Sequence, residues 1–445
     1  MNVTIEKLIY GGDGLAHHNG ATVFVPFVLP GEVAEITEVE RKKKYVRGRV
    51  REWVTTSPER TAAACPHFGI CGGCHYQHIP YPAQLRFKSE ILRETLRRLG
   101  RIDWTGAIRE HASPPWGYRN RAQWKVRPRG PAKHSGATTE KTAGSTAANG
   151  ALGIGYFRAG STALCAVEEC PVLSPRLVET LGRFRAALAK GELPVALREV
   201  TAFADASDTK VLVNASFAGF SSSPTGLIET IRAAVPGIES LLLNDLSRER
   251  MELDGPGYLK YEAGAFGYRV GHFSFFQVNR FLVDELVGTV LGDPGEAASG
   301  RQRKLALDLF CGVGLFTRRL AERYERVVAV EANPAAVRDL DSNVAGTGGV
   351  ETREADVEAF LHEWKDTPDL VVLDPPRAGM TPETVARLAE IAPAEIAYVS
   401  CEPSTLARDL ALLTTKGFLI SEVHLFDHFP ETFHIESFVR LTRRP

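Results

Sequence analysis

After about residue 300, the sequence alternates between continuous apolar runs and stretches with helical spacing. The apolar runs are LALDLF, RVVAVEA, DLVVLDPP and EIAYVSCEP, which begin at Leu305, Arg326, Asp369 and Glu395. A strand that is apolar on both faces must be buried on both faces, so helices have to cover each side of the sheet. The pattern predicts an α/β fold with a largely parallel sheet, in which ligands bind at the carboxyl ends of the strands.

The first 56 residues instead alternate like short strands, and glycines and prolines mark the turns between them. This pattern is typical of a small OB-like β-barrel. Seven basic residues crowd the segment from Arg41 to Arg51, and a second basic stretch from Arg119 to Arg129 is interleaved with Trp116, Tyr118 and Trp124. Such segments suit contact with nucleic-acid phosphates and bases, but solvated surface strands would carry the same charges.

The chain as a whole has the composition of an ordinary globular protein. It has 445 residues, 44% hydrophobic residues and a formal net charge of −1, which predicts several domains and gives no global sign of a nucleic-acid partner. No apolar run reaches membrane-spanning length, and the first residues lack the order of a signal peptide. We therefore expect a monomeric, cytoplasmic protein without a membrane partner. Residues 131–150 are rich in Ala, Thr, Gly and Ser, which predicts a mobile surface insertion.

A candidate cofactor site follows the first apolar strand, in the run DLFCGVGLFT from Asp308 to Thr317. Gly312 and Gly314 allow a tight turn beneath a ligand, but the third glycine of the dinucleotide motif is absent. Glu331 ends the next strand, where a carboxylate can accept hydrogen bonds from both hydroxyls of a ribose. Asp356 follows the third strand, where it could face an adenine amine. A nucleoside without a pyrophosphate favours S-adenosylmethionine over NAD, unless these residues serve only as turn and cap residues.

Two further strands are associated with reactive side chains. Cys401 follows the strand that ends in Val399 and Ser400, and Glu436 lies on a late strand predicted from Phe433 to Leu441. Carbon 5 of uracil attacks a sulfonium methyl poorly, but a thiolate that adds to carbon 6 turns carbon 5 into an enolate carbon. A base must then remove the proton from carbon 5. Seen alone, the cysteine could be an inert packing residue and the glutamate a surface residue.

Five ordered motifs resemble those of the RNA (uracil-5-)-methyltransferase family, which acts on tRNA and 23S ribosomal RNA. The motifs are FFQVN at residues 275–279, DLFCGVGLFT, LDPPRAG, YVSCEPSTLARDL and FHIESFVRL. The resemblance implies that Cys401 is the nucleophile and Glu436 the base. It also implies a set of residues that bind the methyl donor, namely Gln277, Phe310, Glu331, Asp356 and Asp374. Asp374 is further expected to face the target base.

The alternatives explain fewer of these motifs. The segment Asp374-Pro375-Pro376-Arg377 in isolation suggests an amino methyltransferase, which would need neither Cys401 nor Glu436. RNA cytosine-5 methyltransferases generally resemble proteins with a cysteine after the Pro-Pro pair, where this chain has Arg377. A non-catalytic RNA-binding protein would not need the donor motif. The expected substrate is therefore a uridine in structured RNA, 23S rRNA rather than tRNA, and a loop uridine because unpaired bases are the cheapest to extract.

A cluster of cysteines indicates a metal site in a cytoplasmic chain. Cys65, Cys71 and Cys74 fall within ten residues, which is typical of zinc or iron–sulfur sites, and a fourth ligand must come from Cys165 or Cys170. The alternative is three reduced cysteines without metal. The segment CPHFGICGGCHYQH resembles that of the family members that carry a [4Fe–4S] cluster. In those members the fourth cysteine precedes Pro-hydrophobic-Leu, which matches Cys170.

The patterns and the resemblance together predict three parts. These are a TRAM barrel at residues 1–56, a mixed, β-rich central domain at residues 57–81 and 115–265, and a class I (Rossmann-like) methyltransferase domain at residues 82–114 and 266–445.

Overall fold

The computed structural model describes residues 1–128, 152–219, 223–292 and 303–444. The chain forms two compact units, of which the first contains residues 1–64, 74–118 and 260–445 and the second contains residues 65–73 and 119–259. The finer division into three domains stays a prediction. The predicted mobile insertion at residues 131–150 lies outside the described residues.

The N-terminal strands form a six-stranded sheet in the order β1-β5-β6-β4-β3-β2. They are β1 (Asn2–Thr4), β2 (Lys7–Leu8), β3 (Asp13–His18), β4 (Ala21–Pro26), β5 (Val33–Arg41) and β6 (Tyr45–Thr55). Alternate side chains bury a small core, to which Val3, Val23, Val25 and Val46 belong. Strand β1 also contacts β3 near the other edge of the sheet, as the predicted barrel requires.

The barrel is followed by a cysteine-rich segment and then by helix α1 (Tyr81–Leu99) and strand β7 (Ile108–His111). Pro82 lies in the first turn of the helix, where its missing N–H leaves no hydrogen bond unmade. The apolar residues of α1 recur at helical spacing and are buried except for Leu99, which is 59% exposed at the helix end.

The second unit is built on a seven-stranded sheet in the order β10-β9-β8-β11-β12-β13-β14. Its strands are β8 (Arg121–Pro128), β9 (Leu152–Phe157), β10 (Leu164–Ala166), β11 (Leu197–Ala204), β12 (Val211–Phe217), β13 (Ile238–Asp245) and β14 (Arg250–Asp254). Helices α2 (Pro175–Ala189) and α3 (Pro224–Ala234) bury Leu181, Phe184 and Ile231 in the core of this unit.

The second basic stretch of the sequence lies on and before β8, and two of its three aromatic residues are buried. Tyr118 and Trp124 are fully buried. The guanidinium of Arg121 stacks over the ring of Phe203 at 4.4 Å, and Lys125 pairs with a neighbouring glutamate. The rings of Tyr118 and Trp124 are therefore not available to stack on RNA bases, whereas Trp116 is half-buried, and RNA contact by the remaining cations of this stretch stays a prediction.

A two-stranded sheet and a helix lead into the α/β part of the first unit. They are β15 (Tyr258–Ala263), β16 (Phe266–Gly271) and α4 (Val283–Leu291). The hydroxyl of Tyr268 donates to the carbonyl of Leu315 at 3.2 Å, and the amide of Asn343 donates to the carbonyl of Val313 at 2.9 Å and to that of Arg269 at 3.0 Å. These bonds dock the strand pair against the loop that carries Gly312 and Gly314.

The remaining strands, with β7, form an eight-stranded sheet in the order β19-β18-β17-β20-β21-β23-β22-β7. The strands are β17 (Leu305–Leu309), β18 (Arg326–Glu331), β19 (Val350–Glu354), β20 (Leu370–Leu373), β21 (Glu395–Ser400), β22 (Phe418–Phe426) and β23 (Glu436–Arg443), and the helices are α5 (Thr317–Leu320), α6 (Pro334–Val344), α7 (Val357–Glu363), α8 (Pro382–Glu390) and α9 (Pro403–Thr415). Strands β17 to β21 are parallel, which confirms the predicted α/β sheet.

The last strand differs from its predicted bounds. Strand β23 begins at Glu436 rather than at Phe433, and it runs antiparallel between β21 and β22. Glu436 is therefore the first residue of the strand and not a residue in its interior. Across the described segments, the helices all fall short of what is needed to cross a membrane, in length or in apolar character.

Candidate active site

The carboxyl ends of the parallel strands and the start of β23 meet at one edge of the large sheet. Ser400 at the end of β21 lies opposite Ser437 of β23 in the antiparallel ladder. Cys401, which follows Ser400, and Glu436, which precedes Ser437, are therefore neighbours. Asp374 follows β20, the strand on the other side of β21. The structure therefore brings these three predicted site residues to the same edge.

The thiol of Cys401 lies in a field set by burial and by three charged neighbours. Burial raises the pKa of Cys401 to about 11, and the carboxyl groups of Glu436 and Asp374 raise it as well. The guanidinium of Arg377, which hydrogen-bonds to the sulfur, lowers it. The resting cysteine is therefore a thiol at neutral pH, and Arg377 is the group that favours its thiolate.

The pKa values of the two carboxyl groups near the thiol, those of Glu436 and Asp374, are also strongly raised. Glu436 is 5% exposed, and burial followed by the charge of Asp374 raises its pKa well above the usual range, against a lowering by Arg377. Asp374 keeps part of its surface accessible, and burial of the rest raises its pKa to about 7. A carboxylate with a raised pKa is a stronger base once it is ionised, which suits removal of a proton from carbon.

Helix α9 holds the loop that carries Arg377. The hydroxyl of Thr405 donates to the carbonyl of Arg377 at 3.1 Å, and a carboxylate oxygen of Asp409 accepts the N–H of Met380 at 2.9 Å. Because α9 begins two residues after Cys401, one helix orients both the cysteine and the guanidinium beside it. Sequence analysis noted Arg377 only because it occupies the position of a cysteine in RNA cytosine-5 methyltransferases. Its contact with Cys401 depends on the conformation of the loop after β20.

The glycine loop and Glu331 form the candidate donor site. One carboxylate oxygen of Glu331 accepts the N–H of Gly312 at 2.9 Å, and the other accepts the N–H of Asn333 at 2.7 Å. Each oxygen can accept a further hydrogen bond, as two ribose hydroxyls require. Phe310 has a φ of +60° and Gly314 a φ of +86°, so the chain turns sharply between β17 and α5.

Asp308 precedes this loop, and sequence analysis did not predict a role for it within its motif. It is 1% exposed, and the hydroxyl of Thr317 donates to its carboxylate at 2.6 Å. Burial raises the pKa of Asp308 to about 7 despite that hydrogen bond. Its role in the structure is to tie the end of β17 to the start of α5 and so to fix the glycine loop between them.

Two other predicted donor residues have different surroundings. Asp356 is exposed and caps α7, where one oxygen accepts the N–H groups of Glu358 at 2.9 Å and Ala359 at 3.2 Å. Capping is the simpler role that the sequence allowed, and donor binding by Asp356 stays a prediction. Gln277 is 8% exposed in the segment between β16 and α4. Asn279 anchors that segment through a 2.9 Å hydrogen bond to the hydroxyl of Ser113.

The cysteines predicted to bind metal lie mostly in the second unit. The thiol of Cys170 lies 3.9 Å from the hydroxyl of Tyr156 and interacts electrostatically with Cys71 and Cys65. Cys71 hydrogen-bonds to Cys165, and Cys74 belongs to the first unit. Among the described residues, no group of three or more His, Cys, Asp or Glu side chains is arranged to hold a metal ion. Three of the four predicted ligands are thus thiols near one another, without a formed metal site.

The first basic stretch is partly neutralised on the barrel surface. Four of its cations pair with acidic neighbours, namely Arg41 with Glu38, Lys42 with Glu40, Arg47 with Asp13, and Arg51 with Glu35. Lys43, Lys44 and Arg49 are exposed. Exposed pairs of this kind contribute little to stability, so these side chains can exchange partners for phosphates.

Three family models match the sequence. Residues 360–444 match the tRNA (uracil-5-)-methyltransferase family, residues 306–393 match a methyltransferase domain, and residues 1–50 match the TRAM domain. The first match covers the segment with Asp374, Cys401 and Glu436, and the second covers the segment with Glu331 and Asp356.

Known proteins resemble the chain over its whole length. A protein of Salmonella choleraesuis named 23S rRNA (uracil(1939)-C(5))-methyltransferase RlmD is 34% identical over 100% of this chain and 96% of its own. An RNA methyltransferase of Aquifex aeolicus is 32% identical over 99% and 98%. The crystal structure of the tRNA (uracil-54, C5)-methyltransferase of Pyrococcus abyssi, in complex with S-adenosyl-L-homocysteine, superimposes with a TM-score of 0.74 at 26% identity and covers 99% of both chains.

The field around Cys401 makes its reactivity towards iodoacetamide depend on pH. With a pKa of about 11, roughly a thousandth of the thiols are ionised at pH 8, so the alkylation rate is expected to rise about tenfold per pH unit between pH 7 and 10. Replacing Arg377 with Gln removes the charge that favours the thiolate and is expected to shift the profile to higher pH. Mass spectrometry of the Cys401 peptide measures the rate.

The matched control is Arg353→Gln, which removes an exposed arginine of β19 that pairs with Glu351. This variant is expected to keep the wild-type profile. A plateau of the alkylation rate near pH 8 in the wild type would contradict the high pKa of Cys401. Equal profiles for both arginine variants would contradict the role of Arg377 in favouring the thiolate.

Proposed function

Because the chain belongs to the RNA (uracil-5-)-methyltransferase family, we propose that it methylates carbon 5 of a uridine through a covalent adduct between Cys401 and carbon 6 of the ring. The chain is an S-adenosylmethionine-dependent RNA uracil-C5 methyltransferase with an N-terminal TRAM domain. The observation that carries the covalent route is the neighbouring placement of Cys401 and Glu436 at the edge of the sheet that also bears the glycine loop.

The proposed sequence of steps uses three side chains. Cys401 gives up its proton to solvent, helped by the positive charge of Arg377, which stabilises the thiolate. The sulfur then forms a bond to carbon 6 while the ring electrons move to carbon 5 and the carbonyl oxygen at carbon 4. Carbon 5 then takes the methyl group. The carboxylate of Glu436 removes the remaining proton from carbon 5, the carbon–sulfur bond breaks, and the double bond between carbons 5 and 6 is restored.

S-adenosylmethionine, when bound, supplies the methyl group. The residues present fit such a donor. Gly312 has no side chain that would obstruct a ligand, and Glu331 is already oriented by two backbone N–H groups. We propose that the donor is held by Gln277, Phe310, Glu331, Asp356 and Asp374. Asp374 lies between the donor loop and Cys401, which suits its proposed second contact with the target base.

We propose a loop uridine of 23S rRNA as the substrate. The 34% identity to an enzyme whose name specifies a uracil of 23S rRNA supports this over tRNA, for which the structural relative is 26% identical. The exposed Lys43, Lys44 and Arg49 of the barrel would contact RNA phosphates. An rRNA substrate also supports the expected cytoplasmic location, and the monomeric state stays a prediction.

Substitution of the two catalytic residues separates the steps. Cys401→Ala is expected to lower methylation by at least about a thousandfold while RNA and donor binding persist, because no adduct can form. Glu436→Gln is expected to accumulate a methylated covalent complex, because the proton on carbon 5 has no acceptor. Denaturing gels with labelled RNA and labelled donor detect the complex.

Cys165→Ala is the matched control and is expected to methylate like the wild type, since no step of the proposed mechanism uses that thiol. Turnover by Cys401→Ala would remove the cysteine from the mechanism. Rapid release of methylated RNA by Glu436→Gln would mean that another group is the base.

The RNA target has its own test. Deleting the gene is expected to remove one 5-methyluridine from 23S rRNA and leave tRNA unchanged, which sequencing of total RNA for modified bases measures. Loss of the modification from tRNA alone would contradict the proposed substrate. Re-expression of the wild type, but not of Cys401→Ala, should restore the modification.

We further propose that Cys65, Cys71, Cys74 and Cys170 hold a [4Fe–4S] cluster. Four thiolates are the ligand set that such clusters require, and the electrostatic interaction of Cys170 with Cys71 and Cys65 supports a shared site. No methyl-transfer step involves the cluster, and we assign it a structural or RNA-shaping role.

The two candidate fourth ligands make the cluster testable. Anaerobically purified Cys170→Ala is expected to lose the visible absorbance of the cluster and most of its iron and sulfide, whereas Cys165→Ala should retain them. Chemical assay of iron and sulfide measures both variants. Absence of iron and sulfide from the wild type would contradict the cluster, and the reverse pattern in the variants would identify Cys165 as the ligand.

A further inference from the structure

A tyrosine of the TRAM barrel reaches the chain segment that carries the proposed nucleophile. Tyr10 lies in the turn between β2 and β3, and its hydroxyl donates to a carboxylate oxygen of Glu402 at 2.9 Å. The edge of its ring packs against Phe433 with the centroids 5.6 Å apart. Glu402 directly follows Cys401, so a single peptide bond separates the acceptor of this hydrogen bond from the reactive cysteine.

The turn that carries Tyr10 is packed in place and is not a free surface loop. Leu8, just before it, belongs to the same hydrophobic cluster as the strands of the methyltransferase sheet. Gly12, just after it, has a φ of +91°, and a side chain there would come within 3.3 Å of His75 and Phe433. The hydroxyl of Tyr10 therefore has a fixed position relative to Glu402.

Glu402 is held from both sides. One carboxylate oxygen accepts from Tyr10, and the other accepts the hydroxyl of Ser404 at 2.6 Å. Its backbone N–H donates to the hydroxyl of Ser400 at 3.2 Å. Burial and the carboxylate of Glu402 both raise the pKa of Tyr10, so the hydroxyl stays protonated and remains a donor at every physiological pH.

We propose that Tyr10 is a positioning residue for Cys401, through which the RNA-binding barrel sets the orientation of the thiol. The hydrogen bond to Glu402 fixes the start of α9, and the adjacent Cys401 then presents its sulfur along one direction. The proposal rests on the covalent mechanism above, since it concerns the geometry of the nucleophile. It gives the TRAM barrel a part in assembling the active site in addition to RNA binding.

Tyr10→Phe tests this proposal because it deletes only the hydroxyl and keeps the ring against Phe433. With RNA containing 5-fluorouridine at the target position and with donor present, the wild type should form a covalent complex in a single turnover. At saturating RNA, Tyr10→Phe is expected to form it roughly tenfold more slowly, because a displaced nucleophile reacts slowly. The dissociation constant for RNA should stay within about twofold of the wild type.

A second variant tests the same contact from the other side. Glu402→Ala removes the acceptor and should slow complex formation to a similar extent, and the double variant Tyr10→Phe/Glu402→Ala should be no slower than the slower single variant, as expected for partners in one interaction. Tyr324→Phe is the matched control. Tyr324 lies just before β18, at the amino ends of the parallel strands, whereas Glu402 lies at their carboxyl ends, so this variant should react like the wild type.

The outcomes are distinct. A wild-type rate for Tyr10→Phe, additive losses in the double variant, or weakened RNA binding with an unchanged rate at saturation would each overturn the positioning role while leaving the covalent mechanism intact. Failure of the wild-type enzyme to form any complex would overturn the mechanism and the positioning role together.

Discussion

The antiparallel pairing of β23 with β21 is the constraint on which the active site depends. The ladder sets Ser437 opposite Ser400 and so places Glu436 beside Cys401, at the edge where the parallel strands end. A shift of one residue would turn Glu436 to the other face of the sheet. The loop before β23 is fixed as well, because the buried ammonium of Lys88 on α1 binds Asp427 at 2.7 Å and the carbonyl of Phe429 at 3.0 Å.

Burial is the second constraint, and it acts on Cys401, Asp374 and Glu436 in the direction that removes charge. It raises the pKa of Cys401 to about 11 and that of Asp374 to about 7, and it raises that of Glu436 well above its usual range. Arg377 opposes these shifts for both Cys401 and Glu436. The site therefore places a protonated thiol beside the guanidinium that favours its thiolate. Because the pKa of the thiol is high, an unpaired thiolate does not persist in the absence of RNA.

Prediction from the sequence succeeded where a pattern is local and failed where packing decides. The apolar runs predicted β17, β18, β20 and β21, because a strand that is buried on both faces needs apolar residues at nearly every position. The charged and aromatic alternation around Trp124 suggested an RNA surface, but α2 and α3 cover that sheet and the ring is buried. Alternation fixes which residues share a face and not which face is covered.

The sequence by itself determined the α/β class, the glycine loop with Glu331 after it, the place of Cys401 at a strand end and that of Glu436 on a late strand. Each of these follows from residues adjacent in the chain. Only the tertiary structure decided that Arg377 meets the sulfur of Cys401 and that Tyr10, nearly four hundred residues away, binds Glu402. Contacts between distant segments depend on strand order and on how loops pack, and neither leaves a periodic trace in the residues that make them.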